Sequence, residues 1–323
     1  MRLRLMSYNI QIGVGSARNP RWDPTKFDLE AVARVIEAAS PDIVALQEVD
    51  RYRARSGHVD QVEWLSRRLN FAWHAYAPAY YALEPSAPPA AFAHGEYGVA
   101  LLSRWPIRAQ FVHPLYRRAR LEPGERPWDI EPRVALETIL ELPAAVAIAT
   151  AAGAGTYVTV VCTHWSTAQD QRLVQAEEIK QLAGRSVFPA VVMGDLNCTP
   201  DSPEFQALLA DFDDALALAG VTGEQRLSWP SGTAARQAID HILLHRKPAG
   251  RPTSASTSPS PSATATPDPG AVWRWQVVSA EVVRDTTLAS DHNPVLVEVE
   301  LWAAPDGLRW SARDTCPHTP KRS

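Results

Sequence analysis

AVVMGDLNCTPDSP, residues 190–203, is the stretch on which the fold reading turns. Ala190 to Met193 reads as a short buried strand that stops at Gly194, and two polar groups, Asp195 and Asn197, follow at once. Ser202 followed by Pro203 offers an N-cap with proline at the first helical position, so a short helix is expected through Leu209. An apolar strand that ends on side chains unfavourable to bury suggests that those side chains serve a site.

The same design recurs on both sides. Leu3 to Ile10 reads as a buried strand turning polar at Asn9. A capping-box-like sequence from Thr25 to Asp28 then opens a helix with Leu29, Val32, Ala33 and Ile36 on one face, closed by Pro41. Ile43 to Leu46 is an apolar strand ending in Gln47 and Glu48, and a helix follows with Val62, Leu65 and Leu69 at helical spacing. Tyr97 to Ser103, Arg133 to Leu142 and Tyr157 to Thr163 read as further strands, the last delivering His164. A helix from Gln169 to Ala183 is expected to carry Leu173, Ala176, Ile179 and Leu182 inward, leaving Arg172, Glu177 and Lys180 to water. Three late strands, Ile239 to Leu244, Val277 to Val283 and Val295 to Leu301, complete the pattern.

Bulk properties narrow the class. The 323 residues are 46% hydrophobic and 21% charged, close to globular averages, so a sizeable core is within reach. A net charge of -4 argues against a protein whose main task is coating nucleic acid, and no stable nucleic-acid complex is expected. Cys162, Cys198 and Cys316 form no CxxC pair and fit a reducing compartment. The opening MRLRLMSYNI lacks the apolar region and cleavage site of a signal peptide, and no stretch is long and apolar enough to span a bilayer. A cytoplasmic monomer is the expectation, with export left open. Residues 248–270 are almost entirely Ser, Thr, Pro and Ala and read as a disordered insertion within one domain spanning 1–302, and 303–323 reads as a peripheral tail.

Six strand ends thus bear polar groups: Asn9 in SYNI, Glu48 in LQEVD, His164 in CTHW, Asp195 and Asn197 in GDLN, Asp240 in IDHI, and Asp291 with His292 in SDHNP. Each alone has a plainer reading, as a turn, a cap, a solvated acid or a core histidine. Together they supply oxygen ligands for a hard cation, and a base with a partner able to fix its tautomer.

In this order the motifs SYNI, PDIVALQEVD, YGVALLSR, TH, GDLN, IDHI and SDHNP resemble the endonuclease/exonuclease/phosphatase family, over about Arg2 to Leu301. The resemblance implies an α/β fold, a four-layer α/β sandwich of two packed mixed β-sheets flanked by helices, with the site at one rim. It implies a hydrolase that attacks a phosphodiester or phosphomonoester with water, helped by Mg²⁺, for which Mn²⁺ could substitute. By that resemblance Asn9, Glu48 and Asp291 look like metal ligands. Asp195 looks like the group that positions or deprotonates water, Asn197 like an orienting amide, and His292 like a general base or acid held by Asp240. His164 would donate to a non-bridging phosphate oxygen.

Around these, Glu96 is expected to orient His164, against a reading as an exposed pre-strand acid. Arg133 is expected to contact phosphate, against a reading as an ordinary strand-start arginine. Trp22, Trp128, Trp165 and Trp229 fall in expected loops or strand ends, where an indole can stack on a base, pack a lipid-like tail or simply anchor its loop. His164 is followed by Trp165 where many relatives have leucine, and in RLSWPSGTAARQAID, which stands where apurinic endonucleases carry an aromatic-plus-basic loop, only Trp229 remains to suggest aromatic contact. Both departures weaken a DNA-repair reading and tilt the expected substrate toward a small or lipid-like phosphoester, with a nuclease as the alternative. A dinuclear metallophosphatase would need an early D-x-H and a later GNH segment, which are missing in that arrangement. A non-catalytic binding module would have no reason to keep this polar set.

Overall fold

Alternation along the strands decides the architecture of the computed structural model, which describes residues 2–15, 26–83, 94–143, 147–148, 156–246 and 272–304. One sheet contains β1 (Arg2–Asn9), β2 (Ile43–Arg51), β3 (Trp73–Leu83) and β4 (His94–Ser103). The second contains β5 (Ile107–Pro114) and β6 (Val134–Leu142), and the two-residue β7 (Ala147–Ile148) returns to the first. β8 (Thr156–His164), β9 (Ala190–Asp195), β10 (Phe212–Asp214) and β11 (Asp240–His245) belong to the second sheet, β12 (Val272–Val282) and β13 (Val295–Ala304) to the first. Their orders are β12-β13-β1-β2-β4-β3, with β7 on β13, and β10-β11-β9-β8-β6-β5. Both are mixed: β1 runs parallel to β2 and β8 parallel to β9, whereas β13 pairs antiparallel with β1 and β11 antiparallel with β9.

Because successive strand residues face opposite ways, continuous apolar runs can fill two layers at once. Leu3, Leu5, Ile43, Ala45, Val191, Met193, Ile242 and Leu244 meet in the core between the sheets. Their neighbours Met6, Tyr8, Val44 and Leu46 face outward onto helices α1 (Leu29–Ala39) and α2 (Gln61–Arg68). Val192 and Leu243 face the other way onto α3 (Gln169–Gly184) and α4 (Pro203–Leu208). The result is helix, sheet, sheet, helix. A short α5 (Ala215–Leu218) adds Ala215 and Leu216 to the central core. No helix among the described residues is long and apolar enough to cross a membrane.

Several local expectations are corrected. The cap of α1 is the Asp28 carboxylate, which accepts the Ala31 N–H at 2.9 Å, and the helix closes on Ser40 in the left-handed region. Thr25 and Trp22 lie outside the described residues, as do residues 248–270, Cys316 and the tail beyond 304. On α3, Leu173 is 48% exposed, and the buried face instead carries Gln171 and Gln175. Gln175 accepts the Ser166 N–H at 2.9 Å and donates to Tyr116 O at 2.8 Å, so these amides are buried because they brace loops. Arg172 is not left to water either: its Nε donates to the fully buried Glu204 at 2.6 Å.

One glycine aligns the site. Gly194 lies opposite Thr163 in the β8–β9 ladder, and a Cβ there would sit 2.0 Å from the Thr163 carbonyl oxygen. That close approach sets His164 beside Asp195 in the next register pair. Gly194→Ala should therefore lower unfolding free energy by about 3 kcal/mol or more, because backbone must move to admit the methyl. Denaturant titration checks this, and an unchanged midpoint would refute it.

Candidate active site

The site is the polar end of the inter-sheet layer. Leu3 and Leu5 on β1 are followed on the same face by Ser7 and Asn9, and Ile43 and Ala45 on β2 by Gln47. Val158, Val160 and Cys162 on β8 lead to His164, Val191 and Met193 on β9 to Asp195, and Leu244 and Ile242 on β11 to Asp240. A buried layer of Ser7, Gln47 and Cys162 separates this polar end from the apolar core, with Gln47 Nε2 3.6 Å from Cys162 Sγ and Ser7 Oγ 3.5 Å from Gln47 Oε1.

Glu48 enters through a β-bulge. The β2–β4 register shifts between Leu46 and Val49, and Glu48 takes φ +55, which re-aims its carboxylate. Asn9 Nδ2 donates to Glu48 Oε1 at 3.1 Å and to Asp195 Oδ2 at 3.0 Å, tying the two sheets together. Its Oδ1 accepts the Gln11 N–H at 3.0 Å and keeps one lone pair.

His292 and Asp240 form a closed pair. His292 Nδ1–H donates to Asp240 Oδ2 at 2.8 Å, which leaves Nε2 3.7 Å from Asp195 Oδ2 and 3.9 Å from Asp291 Oδ1. Burial opposes the charged ring, but Asp240, Asp195 and Asp291 override it and hold its pKa well above the ordinary value. The supporting loop is fully committed. Ser290 Oγ donates to Asn9 O at 2.7 Å and accepts the His292 N–H at 3.1 Å, and Asn293 Oδ1 accepts from Gly232 and Asp285.

His164 is a different kind of histidine. Arg133 Nη1 lies 2.9 Å from its Nδ1, and a guanidinium can only donate, so Nδ1 accepts and the ring proton sits on Nε2. Burial, then the charges of Arg133 and His292, push its pKa well below the ordinary value, so the ring is neutral. The Nε2–H faces Asp195 Oδ2 at 3.4 Å; the Asn197 Nδ2, 3.1 Å from the same ring nitrogen, is itself a donor and accepts nothing from it. Asn197, at φ +51, also donates to Trp165 O at 3.0 Å.

The carboxylates are crowded. Burial and the neighbouring Asp291 charge raise Glu48 to about 7, and burial with Asp240 raises Asp195 to about 6. Asp291 Oδ2 accepts the Trp229 indole N–H at 3.2 Å, while its buried Oδ1 has no hydrogen-bond partner. Asp195, Asp240 and His292 also bring ligand atoms within 4.8 Å of one another; Asp240 Oδ2 is committed to His292 Nδ1, while the buried Asp240 Oδ1 has no hydrogen-bond partner. An orphaned carboxylate oxygen beside a second carboxylate of raised pKa fits a hard divalent cation, which prefers oxygen ligands.

Two expectations are corrected. Glu96 does not reach His164; its carboxylate pairs with Arg51 at 3.2 Å. The reason is parity, since Leu101, Val99 and Tyr97 face the inter-sheet layer and Glu96 falls on the other face. Trp165 is fully buried among Val161, Ile179 and Phe205, so it cannot stack on a ligand. Arg133 is 5% exposed, supports the imidazole of His164 and pairs with Glu131 at 3.3 Å, and its buried Nε has no hydrogen-bond partner. Trp229 stays beside Asp291, and Trp128 is 49% exposed. Sequence reasoning passed over Ser290, Asn293, Tyr97 and Ser228, whose Oγ accepts the Ile239 and Asp240 N–H groups at 3.2 Å; the serines and Asn293 adjoin motifs already singled out, and alternation along YGVALLSR would have found Tyr97.

The family model of the Endonuclease/Exonuclease/phosphatase family matches residues 6–292. No curated protein matches the chain in sequence. Among solved structures, an endonuclease/exonuclease/phosphatase from Beutenbergia cavernae is similar at TM-score 0.63 and 22% identity, covering 93% of this chain and 72% of that one. The human Nocturnin catalytic domain is similar at TM-score 0.56 and 16% identity, covering 93% and 94%. A mannosyl-6-phosphatase from Bacteroides thetaiotaomicron is similar at TM-score 0.55 and 17% identity, covering 93% and 99%. At these identities the likenesses speak for the fold, whereas the family model spans the strands that build the site, and on that match the chain belongs to the Endonuclease/Exonuclease/phosphatase family, hydrolases of phosphoester bonds.

Proposed function

We propose that the chain hydrolyses a small or lipid-like phosphoester with an activated water, assisted by Mg²⁺, for which Mn²⁺ can substitute. The observation that carries this reading is the opposition of two unlike histidines across Asp195: a charged His292 held by Asp240, and a neutral His164 held by Arg133. Paired groups pushed to opposite protonation states are suited to divide proton transfer from charge stabilisation.

In this reading Glu48, Asp291 and the remaining lone pair of Asn9 would hold the cation. When bound, it neutralises phosphoryl charge and polarises the ester toward attack. Asp195 Oδ2 orients the attacking water, with Asn197 beside it. His164 Nε2–H donates to a non-bridging oxygen as charge builds there, and His292 exchanges a proton with the reacting oxygens from Nε2 while Asp240 fixes its ring. The preference for small or lipid-like esters rests on the net charge of -4 and on the Trp229 N–H being committed to Asp291. A nuclease is the alternative.

Chelation should abolish turnover, and Mg²⁺ or Mn²⁺ should restore it. A panel of plasmid DNA, an abasic duplex, sphingomyelin, phosphoinositides and sugar phosphates measures both points. Stoichiometric zinc in the purified protein with no rescue by Mg²⁺ would overturn the ligand set, and turnover of the DNA substrates alone would overturn the substrate preference.

A further inference from the structure

The inter-sheet face of β4 runs Leu101, Val99 and then Tyr97, so Tyr97 occupies the place on β4 that Asn9, His164, Asp195 and Asp240 occupy on their strands. No role in the reaction described so far uses it. Tyr97 is 7% exposed, yet its hydroxyl makes no hydrogen bond among the described residues. The hydroxyl is not among the buried atoms that lack a partner, so the ring is enclosed while the O–H stays open and its hydrogen is free for a ligand.

The ring is held firmly. Tyr80 lies 5.1 Å away at 35°, and the Arg55 guanidinium sits 5.3 Å from the ring centroid on its own anchor, Asp50, at 2.7 and 2.8 Å. Ile12 and Val14, just beyond Asn9, pack against it. Burial, then the charges of Glu48 and Glu131, keep the phenol neutral, and Arg133 is the next charge that it feels. A neutral phenol whose ring is packed on both Tyr80 and Arg55 has one thing to offer an anion, its O–H.

We propose that the Tyr97 hydroxyl is a substrate-binding donor, giving its hydrogen to a non-bridging phosphoryl oxygen at the β4 side of the site. The role is distinct from that of His164, whose Nε2–H faces Asp195. It rests on the phosphoester reading above.

Tyr97→Phe keeps the ring and its contacts and removes only the O–H. Two quantities are compared with wild type at saturating Mg²⁺: the dissociation constant of inorganic phosphate by calorimetry, and kcat/KM on the best ester of the panel. Phosphate binding should weaken and kcat/KM should fall, each about 10- to 100-fold, the worth of a hydrogen bond to a charged group. The melting temperature and the Mg²⁺ concentration for half-maximal rate should stay put. Unchanged phosphate affinity and kcat/KM would overturn the proposal. So would a loss that disappears on raising Mg²⁺, because the hydroxyl would then act through Glu48, and so would a wild type with no affinity for phosphate. A wild type that binds phosphate through Tyr97 but hydrolyses no ester would sustain this inference and sink the hydrolytic reading.

Discussion

His292→Ala should cut kcat by about 10² to 10⁴-fold on any ester that the wild type turns over, the range for a positioned general acid or base. The ring is 5% exposed and its Nδ1 is committed to Asp240 at 2.8 Å, so only Nε2 can serve a reacting oxygen. Asp240→Asn should reproduce much of that loss. An amide can present its N–H to Nδ1 and select the wrong tautomer, and it removes the negative charge that stabilises the imidazolium. Because Asp240 raises the His292 pKa, the same substitution should lower it, which a histidine NMR titration reads directly. The double variant should be little worse than the poorer single one, since both mutations disable a single unit. A folded His292→Ala enzyme with near-wild-type kcat would sink the assignment.

The two halves of this site differed in how legible they were. Asn9, His164, Asp195 and Asp240 stood out in the sequence because each extends an apolar alternation by one polar step, and alternation survives in a linear string. What the string cannot show is which polar groups meet across sheets. Arg133 and His164 lie 31 positions apart on adjacent strands, and their contact depends on the β6–β8 register, so Glu96 looked the better partner for His164. The strands missed from the sequence follow a second rule. β3, β5 and β10 all lie at sheet edges, and β7 adds only two residues beside β13. Edge strands are buried on fewer sides and tolerate Pro78 or exposed residues such as Phe111, so they lack the apolar runs that mark β1, β2 and β9. The misread face of α3 has a similar origin, since Gln171 and Gln175 are buried to brace the loops flanking His164 and not to fill the core.

Asp195→Asn should be the other severe lesion, again about 10² to 10⁴-fold in kcat, because it removes the carboxylate that orients or deprotonates water. Geometry makes the substitution worse than a simple loss of charge. Asp195 Oδ1 accepts the Asn197 N–H at 2.9 Å and Oδ2 accepts the Asn9 amide at 3.0 Å, so whichever way the new amide turns, its N–H₂ confronts a donor. The bridge from Asn9 to both Glu48 and Asp195 should loosen, and Mg²⁺ affinity should weaken with it. Stability is expected to move the other way on the pH axis. A carboxyl whose pKa rises from 3.8 to about 6 on folding binds its proton more tightly in the folded chain, so its contribution is lost as pH climbs through that interval. In chelated protein, the wild type should therefore lose melting temperature between pH 4 and about 6.5 more steeply than Asp195→Asn, in which the group no longer titrates. The neutral His164 works in the opposite direction near pH 6.5 in both proteins and largely cancels, so the difference between the two curves reports Asp195 together with the support its charge gives His292. Parallel melting curves would show that the Asp195 carboxyl is not held in the strained, buried state from which the catalytic reading starts.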